Sequence, residues 1–250
     1  MRDILNVIRF DFLTMRPLSM GEFIFVILFC MVLSMMLSPL IAVMVTFCVF
    51  GFVHPLQDIA DRNGFDRLYG TLPVDRKNVT RARFIYIFAA FLFCEITELI
   101  IAAFSTVLDL NALIFSVDRS AERSREMLNY MHNIYDTPAV VYLAVFAVAA
   151  LCCIAEAYME LMSLIYGREN LFRSVIIGVA AVSAVSGGAY LLSAHTSLIP
   201  QFNLSHIAEN CAAVSVGGAF GFGAAANAAM LAVCLAFGEI TARIVSEREI

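Results

Sequence analysis

The chain has 250 residues, of which 61% are hydrophobic and 15% charged, with a formal net charge of −5 and a mean hydropathy of +0.85. Soluble globular domains run at about 45–50% apolar and about 25% charged, so the composition excludes one and points to a bilayer as the solvent. It excludes intrinsic disorder, a collagen-like repeat and nucleic-acid binding as well: hydrophobicity is high, glycine contributes only 13 residues, and a pI near 5.4 leaves no cationic footprint.

Residues 1–16 interleave Ile4, Leu5, Ile8, Phe12 and Leu13 with Asp3, Asn6, Arg9 and Asp11. That helical spacing predicts a short amphipathic helix lying in the cytoplasmic interface, not a cleavable leader. From Phe23 to Val53 there are 31 residues without a charge. As one helix they would run to about 46 Å, against a hydrocarbon core of about 30 Å. Ser38-Pro39 at the centre predicts a tight outer turn, and hence a hairpin of two spans, 18–37 and 39–56.

The next segment, 57–83, mixes apolar Phe65, Leu68, Tyr69 and Leu72 with charges, and Gly70 and Pro73 break it into a short helix, a turn and a new start. Asp75 is the expected N-cap of the helix that runs on into the bilayer. A stiff amphipathic element joined directly to a span suits a membrane subunit that receives force from a soluble motor. The plainer reading is an interfacial loop whose charges are solvated and hold topology.

Four further apolar stretches, at about 84–108, 138–164, 172–194 and 211–238, are each long enough to cross once. Thr137-Pro138 predicts a helix start and Gly167 a helix end. The segment 109–137 between the third and fourth spans becomes an extracytoplasmic loop. With six spans both termini share one face. That face then carries 13 of the 16 basic residues, the other three being Arg119, Arg123 and Arg125 in the outer loop, so the positive-inside rule places both ends in the cytoplasm. The expected fold is an all-α, polytopic membrane protein of six transmembrane helices forming a single domain.

Charges inside spans are costly, about +2.5 to +3.5 kcal/mol for a mid-bilayer aspartate, lysine or arginine on insertion scales. Glu95 and Glu98 stand three apart in the third span, and Glu156 and Glu160 four apart in the fourth, so each pair shares one helical face; Glu239 closes the sixth. One reading is a polar, proton- or cation-binding substrate pathway between spans three and four. The other is that the carboxylates turn from lipid to cap tyrosines, hydroxyls or neighbouring backbone, or that some remain protonated, since the spans as drawn hold no lysine or arginine to pair with them. Gly217, Gly221 and Ala225 recur every four residues in the sixth span, a small-residue face for helix packing within the chain or across a dimer.

No catalytic motif is present. There is no phosphate-binding G-x-x-x-x-G-K-[ST] loop, and the only lysine, Lys77, precedes Asn78. His54, His132, His195 and His206 lack H-E-x-x-H spacing, no G-x-S-x-G elbow exists, and Ser186-Gly187-Gly188 reads as helix packing. The seven cysteines lie in or beside apolar stretches without C-x-x-C spacing and read as small hydrophobes, supporting neither disulfides nor a metal site.

The run Asp61 to Arg83, centred on Thr71-Leu72-Pro73-Val74-Asp75-Arg76-Lys77, resembles the cytoplasmic loop of bacterial type-2 ATP-binding-cassette (ABC) exporter permeases. The N-terminal amphipathic segment, the Ser38-Pro39 hairpin and Tyr166-Gly167-Arg168-Glu169 after the fourth span extend the likeness to most of the chain. The resemblance implies a permease subunit in the bacterial plasma membrane that is not itself an enzyme. It implies a second permease chain, identical or different, and cytoplasmic ATPase subunits that bind ATP and Mg, this chain holding no cofactor. Phe65, Arg67, Leu68 and Tyr69 would be coupling residues, with Leu72, Pro73 and Arg76 shaping the loop. A hydrophobic or amphipathic cargo such as a peptide, lipid or drug suits so apolar a wall. The outer loop is longer and more charged than the family's pattern. Two other classes fit the residues: a scaffold or sensor that transports nothing, and an ion-coupled carrier using Glu95, Glu98, Glu156 and Glu160, for which an inverted repeat between the halves would be expected and none is evident.

Overall fold

A computed structural model describes residues 75–107, 138–166 and 213–247, with helical residues at 7, 24–25, 28–29, 32, 176–178, 180 and 183–184. Three long helices result: α1 (Arg76–Val107), α2 (Pro138–Tyr166) and α3 (Val216–Glu247). No strand occurs among the described residues. All three are long and apolar enough to cross a membrane. At 1.5 Å per residue the 32 residues of α1 or α3 reach about 48 Å, so each carries a turn or more beyond a core of about 30 Å.

The helix starts are written locally. Asp75 accepts a hydrogen bond from the Lys77 backbone N–H at 3.0 Å through Oδ1, and its carbonyl receives the Asn78 and Val79 amides, so it is the expected N-cap. The consequence is that 76–83, assigned from sequence to the end of the loop, belongs to α1. The start at Pro138 and the end at Tyr166, one residue before Gly167, match expectation. α3 differs: it begins at Val216, not near 211, because the Ser215 hydroxyl accepts the Gly218 amide at 3.1 Å. It also runs past 238 to Glu247, so Glu239 lies inside the helix and does not close it.

Contacts fix the directions. Phe84 lies against Gly238 and Glu95 against Asn227, so α1 and α3 are antiparallel. Phe146 lies against Gly223 and Phe220, and Cys153 Sγ is 3.8 Å from Cys234 Sγ, so α2 and α3 run the same way. The start of α1 and the ends of α2 and α3 therefore stand at one level. The core between them is the stripe Phe84, Ile87 and Phe91 of α1 packed on Val145, Ala149, Cys153, Ala157 and Leu161 of α2 and on Met230 and Cys234 of α3.

Glycines allow two close approaches. A Cβ at Gly223 would sit on the Phe146 ring, and one at Gly178 would lie 2.8 Å from Tyr158 Cε1. Gly217, Gly221 and Ala225, expected to pack a helix, are exposed, and a Cβ at Gly221 would meet nothing within 4 Å. Phe220 meets both Tyr142 and Phe146, with ring centroids 5.4 and 5.7 Å apart. This aromatic cluster ties α2 to α3 at the end away from the arginines.

Candidate functional site

α1 places two polar layers on its inward face. Glu95 and Glu98 continue the stripe of Phe84, Ile87 and Phe91 at spacings of three and four, so the geometry that buries the aromatics buries the carboxylates too. On α2, Glu156 and Glu160 stand on the face of Ala149, Cys153 and Ala157. All four glutamates are at least 92% buried.

The first layer lies where the three helix ends meet. Arg83 reaches Glu160 of α2 at 3.4 Å, both side chains largely withdrawn from solvent. Two residues nearer the start of α1, Arg81 places Nη2 and Nε 2.7 and 3.0 Å from Glu239 Oε2, and Arg243 approaches the other oxygen at 3.3 Å. This outer network is partly exposed. A cleft of about 370 Å³ opens beside it between α1 and α3, lined by Arg81, Ile85, Cys234, Leu235, Gly238 and Glu239. From the sequence, the spans as drawn hold no lysine or arginine to pair with the intramembrane glutamates. The structure corrects this: once α1 starts at 76, Arg81 and Arg83 are helical residues in its second turn, and both point at carboxylates.

The second layer is deeper. Asn227 of α3 donates from Nδ2 to Glu95 Oε1 at 2.7 Å. Glu98 is buried one turn on. Nothing local in the sequence singles out Asn227, although it is the lone amide in the run Gly223 to Ala229, which is otherwise alanine and glycine. Of the four glutamates, Glu160 of α2 is held by Arg83 of α1, and Glu95 of α1 by Asn227 of α3.

The coupling candidates Phe65, Arg67, Leu68, Tyr69, Leu72 and Pro73 lie outside the described residues, and Arg76 is the first residue of α1. What the structure adds is the connection behind them. The chain leaves that segment, is capped at Asp75, and within two helical turns is tied to α3 through Arg81 and to α2 through Arg83.

Comparison with known proteins bears on the same segment. Residues 6–121 match the family model of ABC-2 family transporter proteins. The match covers a little under half of the chain and takes in the N-terminal segment, the hairpin region, the loop and the whole of α1. Over this stretch the resemblance to an ABC-2 permease is borne out, and the family is one of membrane transport components. With the three apolar helices it supports a multi-pass, helical membrane protein that is similar, over residues 6–121, to ABC-2 family transporter proteins. No curated protein and no solved structure gives a significant match.

Proposed function

We propose that the chain is the permease subunit of an ATP-driven exporter, moved by ATPase subunits on separate chains. The observation that carries this is the family match across residues 6–121, which includes the loop at 57–75 and the helix it feeds. The arrangement behind the loop supports it. Force on the segment around Phe65 to Tyr69 would enter α1 without slack at the Asp75 cap and pass through Arg81 and Arg83 to both neighbouring helices. Membrane crossing then follows from tilting the three helices together, opening a path between two permease chains for a hydrophobic or amphipathic cargo.

Six spans with both termini in the cytoplasm remain the reading of the whole chain. The parallel sense of α2 and α3 supports it, because two spans of the same direction need an odd number of crossings between them, as the stretch 172–194 supplies. The exposed Gly217, Gly221 and Ala225 face is where we place a second permease chain.

The test is co-purification. The protein extracted with its native neighbours is expected to carry a stoichiometric ATPase, whose hydrolysis rate falls several-fold when Leu68 and Tyr69 are replaced by alanine. An isolated chain that transports with no ATPase attached, or a Leu68–Tyr69 segment labelled from the outer face, overturns the proposal.

A further inference from the structure

The bond from Asn227 Nδ2 to Glu95 Oε1 leaves a remainder. Glu95 Oε2 and Asn227 Oδ1 are both buried and neither has a hydrogen-bond partner. Buried polar atoms without partners are rare and costly, and each asks for an explanation. Both orphans are acceptors on the same two side chains, so a single donor placed between them would satisfy both. A carboxylic acid has that donor.

We propose that Glu95 and Asn227 form a proton-binding site joining α1 to α3: Glu95 carries a proton on Oε2 and donates it to Asn227 Oδ1, while Asn227 Nδ2 donates to Oε1. The two planar groups then share a two-bond ring with no polar atom left over. Exchanging the oxygen and nitrogen of the amide gives the same ring, so the assignment does not depend on which way the amide is drawn.

The surroundings select a proton over the other occupants. Hard cations such as Ca²⁺ take six or more oxygen ligands, and no group of three or more metal-ligating side chains occurs among the described residues. Among the described residues no guanidinium reaches this level: Arg83 is twelve residues away along α1, about 18 Å at 1.5 Å per residue, and is engaged by Glu160. By the antiparallel register α2 presents Val145, Val148 and Ala149 opposite Glu95, all apolar. Glu156 is level with Ile87, two turns nearer the arginines. Among the described residues, the titratable side chains of the packed helices nearest this level are Cys94 and Glu98 on α1, Tyr142, Cys152 and Cys153 on α2, and Cys234 on α3.

The site gives the α1–α3 contact a specific property. While the helices are docked the pair is neutral and dry; when they part, water reaches Glu95 and takes the proton from Oε2. Movement at this interface is thereby coupled to proton release, and re-docking takes a proton back from water. None of this rests on the exporter reading, and it holds for any protein in which α1 and α3 separate.

Infrared difference spectroscopy on the full chain in lipid vesicles at neutral pH tests it. Subtracting Glu95→Gln from the wild type should reveal a protonated-carboxyl C=O band that moves to lower frequency in D₂O. Asn227→Ala should keep that band and shift it upward, because its acceptor is gone. Glu95→Gln can make the same two bonds as a pair of amides and should melt with the wild type, whereas Glu95→Ala should not. A carboxylate band in the difference, a band that depends on added sodium or potassium, or a band lost in Glu98→Gln but kept in Glu95→Gln overturns the proposal. Should Glu95→Gln fail to fold, the Asn227→Ala spectrum decides alone: an unshifted acid band counts against the pair.

Discussion

The two polar layers of the three-helix core solve one problem differently. Near the helix ends, Glu160 and Glu239 are matched by arginines. Twelve residues deeper, Glu95 is matched by an amide. A guanidinium can be placed at the ends because its long stem lets the charged head sit near the interface while the methylenes stay in apolar surroundings. At mid-helix that route is closed, and a neutral partner with both donor and acceptor ends replaces it. The lesson is that depth, more than residue type, decides how a carboxyl in a span is satisfied.

The comparison can be broken most severely at Arg83. Arg83→Ala leaves Glu160 facing the core without its arginine, and the loss of one partner of a buried pair costs about 3–5 kcal/mol. A large fall in thermal-unfolding midpoint in detergent is expected, with partial recovery in the double variant Arg83→Ala/Glu160→Gln. Asn227→Leu should come next. It removes a hydrogen bond to a buried carboxyl, about 1.5–3 kcal/mol, and a loss below that made by Arg83→Ala would sharpen the contrast between the layers. Gly223→Ala pushes a methyl into the Phe146 ring, and overpacking of this kind costs about 1–3 kcal/mol. Gly221→Ala, two residues earlier on the open face, should leave the melting of the isolated chain unchanged or raise it, since alanine is the better helix former. The smallest effect belongs to Glu239→Gln. Its network is partly exposed, so its contribution should be slight and should fade with added salt.

Several parts of this arrangement are legible in the sequence. Asp75 before a basic, apolar run announces a capped helix, and Thr137-Pro138 and Gly167 bracket α2 correctly. The inward faces of Glu95, Glu98, Glu156 and Glu160 follow from helical spacing alone. The Leu-Pro loop, on which the resemblance to ABC-2 permeases is drawn, lies within the segment that the family model matches. What was not legible depends on contacts between distant segments. Counting uncharged residues starts the third apolar stretch at 84, which leaves Arg81 and Arg83 outside the span although the helix capped at Asp75 contains them. Their partners stand 77 and 158 positions away in sequence. Asn227 could have been flagged as the lone amide in a run of alanines, but nothing local says that it meets a carboxyl 132 positions earlier. The glycines show the same limit. A regular i, i+4 stripe drew attention to Gly217, Gly221 and Ala225, while the positions that receive aromatic rings, Gly223 and Gly238, belong to no evident pattern.

The facing thiols of Cys153 and Cys234 offer an unforced gauge of how the bundle works. Their sulfurs are 3.8 Å apart and need only a short shift to reach covalent S–S length under an added oxidant. A staple closed there would freeze sliding between α2 and α3 while leaving α1 at liberty. Turnover that survives stapling would mark those two helices as a single rigid block, with α1 as the piece that travels.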